Sequence, residues 1–206
     1  MVAAVIVDIV GSRRIADRVA AQGAIDEALE RLAEDGPAAD VPLHPIVGDE
    51  MQGVYSHSDA ALQAILLFQL ALPDGVECRF GIGLGETRTI PSTSGGISEG
   101  TAWWAARAAI EEVESIARRT APAARARVAT WSGADDLRVV NAYLLARDQL
   151  VGAMSERTRR LTRGRCLDVT QRELAAGEGI TQSAVSQALS TSGAAAVVEG
   201  YRLLQD

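Results

Sequence analysis

Every strand-like segment of this 206-residue chain falls before residue 133; beyond it only helical periodicity remains. That division asks for an α+β part followed by an all-α part. Residues 2–10, VAAVIVDIV, are an apolar, β-branched run broken only by Asp8, as in a buried strand with a carboxylate near its end. Gly11-Ser12 turns the chain, and Ile15, Val19, Ile25, Leu29 and Leu32 then recur at near-helical spacing up to Gly36-Pro37. Segments 41–47 and 50–56 flank Gly48-Asp49 as a hairpin. A helix over 58–72, a strand over 76–85, a Gly/Ser/Thr-rich loop over 87–100, a helix over 101–119 and a strand over 124–131 follow. The order β-α-β-β-α-β-α-β predicts an α+β sandwich of the ferredoxin-like kind with one extra strand. Helices are expected over 134–152, 155–167, 170–176, 181–190 and 194–205, giving two domains, 1–132 and 133–206.

Charge divides the chain at the same place. Residues 1–132 hold eighteen acidic and eleven basic side chains; residues 133–206 hold nine of each. An acidic first part and a second part with arginines clustered from Arg157 to Arg172 suggest two functions. No lysine occurs, so any chemistry that needs one is excluded. No stretch approaches the roughly 20 apolar residues of a membrane span. The N-terminus meets Asp8 too early for a signal peptide. Cys78 and Cys166 stand far apart in unrelated contexts, so a reducing cytoplasm is expected, with no disulfide framework.

Residues 170–190, TQRELAAGEGITQSAVSQALS, have the pattern of a helix-turn-helix and resemble helices of the sigma-factor and LuxR type. Thr170 and Thr181 stand at cap positions, and Gly177–Gly179 make the turn. Val185 and Leu189 would face inward. Thr181, Gln182, Ser183, Ser186 and Gln187 would face a DNA major groove, with Arg159 and Arg160 of the preceding helix on phosphates. The alternative is a plain helical hairpin used for packing or dimerisation.

Four segments of the first part belong together. VDIVGS (7–12) puts Asp8 beside a glycine turn, where the amides of Ile9, Val10, Gly11 and Ser12 could cradle phosphates. VGDEMQG (47–53) puts Asp49 at a hairpin bend, where it could share a divalent cation, Mg or Mn, with Asp8. RFGIGLGE (79–86) is a strand whose glycines allow close backbone approach, and TAWWAARAAI (101–110) is a helix carrying Arg107. Blander roles exist: Asp49 as turn former, and Arg107 as the i,i+4 partner of Glu111.

These segments resemble, in order, the FADIVGFT-like, GD-hairpin, RIGIHTGE-like and TVNLAARL-like segments of class III nucleotide cyclases. The GDE hairpin is also similar to the GGDEF motif of diguanylate cyclases, which share that palm fold. With a C-terminal helix-turn-helix, the whole layout resembles the SatD family. The cyclase resemblance covers roughly residues 3–130. It implies metal binding by Asp8 and Asp49, phosphate contact by Arg107, and a site shared between two subunits of a homodimer. The sequence departs from the cyclase pattern at Trp103, where cyclases carry asparagine, and at Pro45, where they carry the purine-reading lysine. The leading expectation is a DNA-binding regulator whose cyclase-like domain binds a nucleotide or phosphate ligand with a metal. The alternative is an active Mg-dependent nucleotidyl cyclase or transferase, targeted by its helix-turn-helix. A purely structural or dimerisation module is the third reading.

Overall fold

The computed structural model describes residues 1–46, 48–90, 97–133 and 136–205. β1 (Val2–Ile9) is followed by a short 3-10 helix, Ser12–Arg14, and by α1 (Arg18–Asp35), whose Asp17 cap accepts from the Ala20 amide at 2.9 Å. β2 (Val41–Pro45) and β3 (Glu50–Tyr55) form the expected hairpin, with Val47 outside the described residues. Next come α2 (Ser58–Ala71), β4 (Cys78–Gly85), β5 (Arg88–Ile90), β6 (Ile97–Glu99), α3 (Thr101–Arg119) and β7 (Ala126–Thr130). The second part is helical: α4 (Arg138–Gly152), α5 (Glu156–Cys166), α6 (Gln171–Glu178), α7 (Gln182–Thr191) and α8 (Ala194–Arg202).

The main sheet runs β2-β3-β1-β4-β7. β1 is antiparallel to both its neighbours, while β7 joins β4 in parallel. The first four strands follow the split β-α-β-β-α-β order read from the sequence, with β7 as the extra strand. The segment 87–100, expected to be a loop, instead contains the antiparallel ribbon β5–β6; residues 91–96 lie outside the described set. Three-residue strands are too short to show a period of two.

β1 is central because both its faces are apolar. Ala3, Val5, Val7 and Ile9 join one core with α1 and α2. Ala4 and Ile6 join a second core under Ala102, Trp103, Ala106, Ile110 and Val113 of α3. The fold therefore has three layers, with α3 covering the second sheet face. α3 can lie this close because β4 carries glycines beneath it. A Cβ at Gly81 or Gly83 would fall inside contact distance of the Ala106 or Ala102 carbonyl.

The first core continues into the helical part. α2 is buried nearly all round, from Ala60 to Phe68, since it lies between the sheet and α5. Leu144, Val151, Leu161, Val185, Val197 and Tyr201 belong to the same apolar cluster. β7 is an edge strand, but α4 seals it: the Asn141 amide bonds Val128 N–H at 2.9 Å and Val128 C=O at 3.0 Å. Asp148 accepts from the amides of Arg125 and Ala126 at 2.7 and 2.8 Å. Satisfied in this way, the edge offers no template for another strand there. Among the described residues no helix is long and apolar enough to cross a membrane.

Candidate functional site

The register of β1 gathers a row of charge at one end of the sheet. Asp8 stands opposite Glu50 on β3 and opposite Arg79 on β4. Directly paired residues project to the same face, and Asp8 shares the face of Ala4 and Ile6, which lie on the side of α3. α3 adds Arg107 and Glu114 to the row. Arg79 Nε and Nη2 donate to the two oxygens of Asp8 at 2.9 and 2.8 Å, and its Nη1 lies 3.3 Å from Glu114. Arg107 Nη2 donates to both oxygens of Glu50 at 2.7 Å, and Gln52 donates to the same carboxylate at 2.9 Å. The bonds it donates to Asp8 hold the Arg79 guanidinium above its ordinary pKa.

Asp49 lies half-buried in the turn, one residue before β3, and the carboxylate opposite Asp8 is that of Glu50. The motif GDE contains both acids, but only strand pairing decides which of them faces Asp8. Arg107 is drawn to Glu50 rather than to Glu111. Arg79 and Glu50 are the two residues that motif reading passed over; each stood inside a quoted motif, and the missing signal was register.

The turn after β1 is built as its glycine suggested. Ile9 is buried at the strand end, and Gly11 has φ 64°, in the left-handed region that favours glycine. The Arg14 guanidinium folds over Gly11, and Arg18 donates to the Ser12 carbonyl at 3.1 Å. The Val10 amide is already given to the Glu77 carbonyl at 2.8 Å, so it points away from a cradle.

Asp8 and Asp49 are hard oxygen donors of the type Mg²⁺ takes, but the arrangement does not fit a cation. Both oxygens of Asp8 already accept from Arg79, whose positive charge stands where a cation would, and no group of three or more His, Cys, Asp or Glu residues gathers among the described residues.

In the helical part, Thr170 forms a capping box with Glu173 on α6. Gly179, at φ 64°, turns the chain, and Thr181 caps α7 by accepting from Ala184 at 3.2 Å. Val185 and Leu189 are buried, while Thr181, Gln182, Ser183, Ser186 and Gln187 are exposed. Arg160 donates to both oxygens of Glu178 at 2.7 and 2.8 Å and to Glu156 at 2.7 Å. Those bonds pull the Glu178 carboxyl below its ordinary pKa. Arg159 bonds the carbonyls of Met154 and Leu72 and the Asp74 carboxylate. An arginine so engaged reaches a DNA phosphate only by leaving these partners.

No curated relative matches the sequence. Among solved structures, a bacterial light-regulated adenylyl cyclase is similar at 12% identity and TM-score 0.45, over 62% of this chain and 74% of that one. The guanylyl cyclase Cya2 is similar at 14% identity and TM-score 0.38, over 55% and 68%. The adenylyl cyclase CyaB from P. aeruginosa is similar at 12% identity and TM-score 0.36, over 57% and 81%. These likenesses are too loose to transfer any residue's role. The SatD family model, in contrast, matches residues 2–199, almost the entire length including the charged row and the capped helices. The chain belongs to the SatD family.

Proposed function

We propose that this protein binds a nucleoside polyphosphate at the charged end of the sheet and acts as a nucleotidyl cyclase or nucleotidyl transferase. The observation that supports this reading is the pair of clasps, Arg79 on Asp8 and Arg107 on Glu50, whose carboxylates stand on the adjoining strands β1 and β3. Both guanidiniums already hold anionic oxygens, Arg79 in the two-pronged geometry that also suits phosphate. Arg14 and Arg18 flank the row at the β1 turn. The order of the four motifs, matched to cyclases, points to the same ligand.

The test is to incubate the protein with ATP or GTP, in EDTA, in Mg²⁺ and in Mn²⁺, and to analyse retained ligand and products by mass spectrometry. Nucleotide should be retained, and Arg107→Gln should weaken retention roughly 10- to 100-fold, as expected for losing one hydrogen bond to a charged group. If neither retained nucleotide nor product appears under any of the three conditions, the reading fails. Product that forms only with a metal would require Arg79 to release Asp8.

A second reading, DNA binding by a homodimer, is supported by the exposed polar row of α7. This helix carries no charged residue, and Arg157 and Arg160 of α5 are ion-paired with Glu178 of α6. Affinity for duplex would therefore rest on base contacts, and Gln182→Ala or Gln187→Ala should cost about 1–3 kcal/mol on a preferred site. A fluorescence titration at about 50 mM salt, where phosphate contacts are strongest, decides it. No binding at low micromolar protein, with or without nucleotide, makes α6–α7 a packing or protein-docking hairpin.

A further inference from the structure

A cavity of about 310 Å³ lies away from the charged row, where the α2–β4 connection meets the start of β7, the end of α4 and the start of α5. Its volume is at the small end of the range for small-molecule sites, about 300–1,000 Å³. Two arginines line it. Arg125 comes from the residue before β7 and Arg159 from the first turns of α5, and their side chains are 17% and 13% exposed. Backbone carbonyls lock both guanidiniums in place: Pro122 and Ala124 hold Arg125, and Leu72 and Met154 hold Arg159.

The anionic partners of these arginines are different. Glu77 on Arg125 and Asp74 on Arg159 are rim side chains, 56% and 70% exposed, so water would receive them readily if they swung away. The fixed groups of the cavity are therefore cationic, and the neutralising groups are free to leave. Gln69 also stands on the wall of the cavity.

We infer that this cavity is a binding site for a compact organic anion. The ligand's carboxylate or phosphate oxygens would replace Asp74 and Glu77 on the two guanidiniums. Because its walls come from both the sheet and the helical part, the ligand would also tie the two together.

The test is isothermal titration calorimetry of the whole chain with two probes, inorganic phosphate and succinate, which separate the two anion chemistries. The Asp74→Asn/Glu77→Gln variant removes the competing rim anions and should tighten binding roughly 3- to 10-fold; Arg159→Gln should abolish it. Because Arg159→Gln could unsettle the fold, the rim variant, which keeps both arginines anchored, carries the decision. If no probe binds at tens of millimolar, or if binding is indifferent to the rim variant, the inference is overturned. Indifference would place the anion elsewhere, including at the Asp8 row, so this result and the failure of nucleotide retention can be told apart.

Discussion

The residue with most at stake is Asp148. It is fully buried beside Arg147, itself 2% exposed; one of its oxygens takes two backbone amides at the start of β7, and the other takes the guanidinium at 2.8 Å. Arg147 Nη1 has no hydrogen-bond partner, so this charge is already incompletely compensated. Asp148→Ala would strand a buried cation and two amides, and urea denaturation should show a loss of about 3–5 kcal/mol. The exposed Arg138–Asp136 pair is the contrast: solvent screens it, and Arg138→Ala should leave the urea midpoint essentially unchanged. Glu178 makes a prediction in pH. Its folded-state pKa is depressed by Arg160, so its contribution is present above the unfolded carboxyl value of about 4.3 and is lost as pH falls through the folded one. Wild type should therefore lose more stability than Glu178→Gln on acidification below about pH 4, as measured by thermal unfolding across pH. An equal loss in both proteins would show that the clamp contributes nothing. Neither Asp148 nor Glu178 stands out in the sequence, because burial and partner are properties of the packed chain.

Among the elements, α3 shows how a motif can be structural and functional together. Thr101–Arg119 rests on Gly81 and Gly83, and this close seat brings Arg107 to Glu50 and Glu114 to Arg79. Gly83→Ala would lift the helix off the strand. Overpacking of this kind costs about 1–3 kcal/mol, and the same shift should weaken nucleotide retention, although residue 83 touches no charged group. Normal retention at reduced stability would separate the seat from the site. The four motifs were legible in the sequence, as was the run of five helices, because each depends on local spacing; the first of these helices begins at Arg138, and residues 134 and 135, where it was expected to begin, lie outside the described residues. The β5–β6 ribbon was not, since its strands are too short to carry a period. The pairing of Asp8 with Glu50 was not either, since register is a relation between strands.

Over the whole molecule, the question is whether the strand-bearing and helical parts fold as one. The shared apolar cluster, the Arg163–Asp35 pair at 3.0 Å and the Arg159–Asp74 pair at 2.7 Å all join them. We expect a single cooperative transition. All three tryptophans lie at or before residue 131, whereas α4 to α8 supply much of the helical signal. Tryptophan fluorescence and far-ultraviolet circular dichroism should therefore give coincident urea curves. Separated midpoints would mean that the common cluster does not couple the two parts.

The sequence alone determined the order of the five main-sheet strands and the helices between them, the change to helix after β7, the caps at Thr170 and Thr181 and the turn at Gly179, because propensity, capping and hydrophobic period are written along the chain. It also brought the charged motifs into view one by one. Tertiary structure alone decided which charges meet. Asp8 faces Glu50 and not Asp49 because strand register is fixed by burial on two faces at once. Arg159 turns toward the cavity because carbonyls 5 and 87 residues away in the chain converge on it. Contacts of that separation leave no periodic trace, so no local reading of the residues could have placed them.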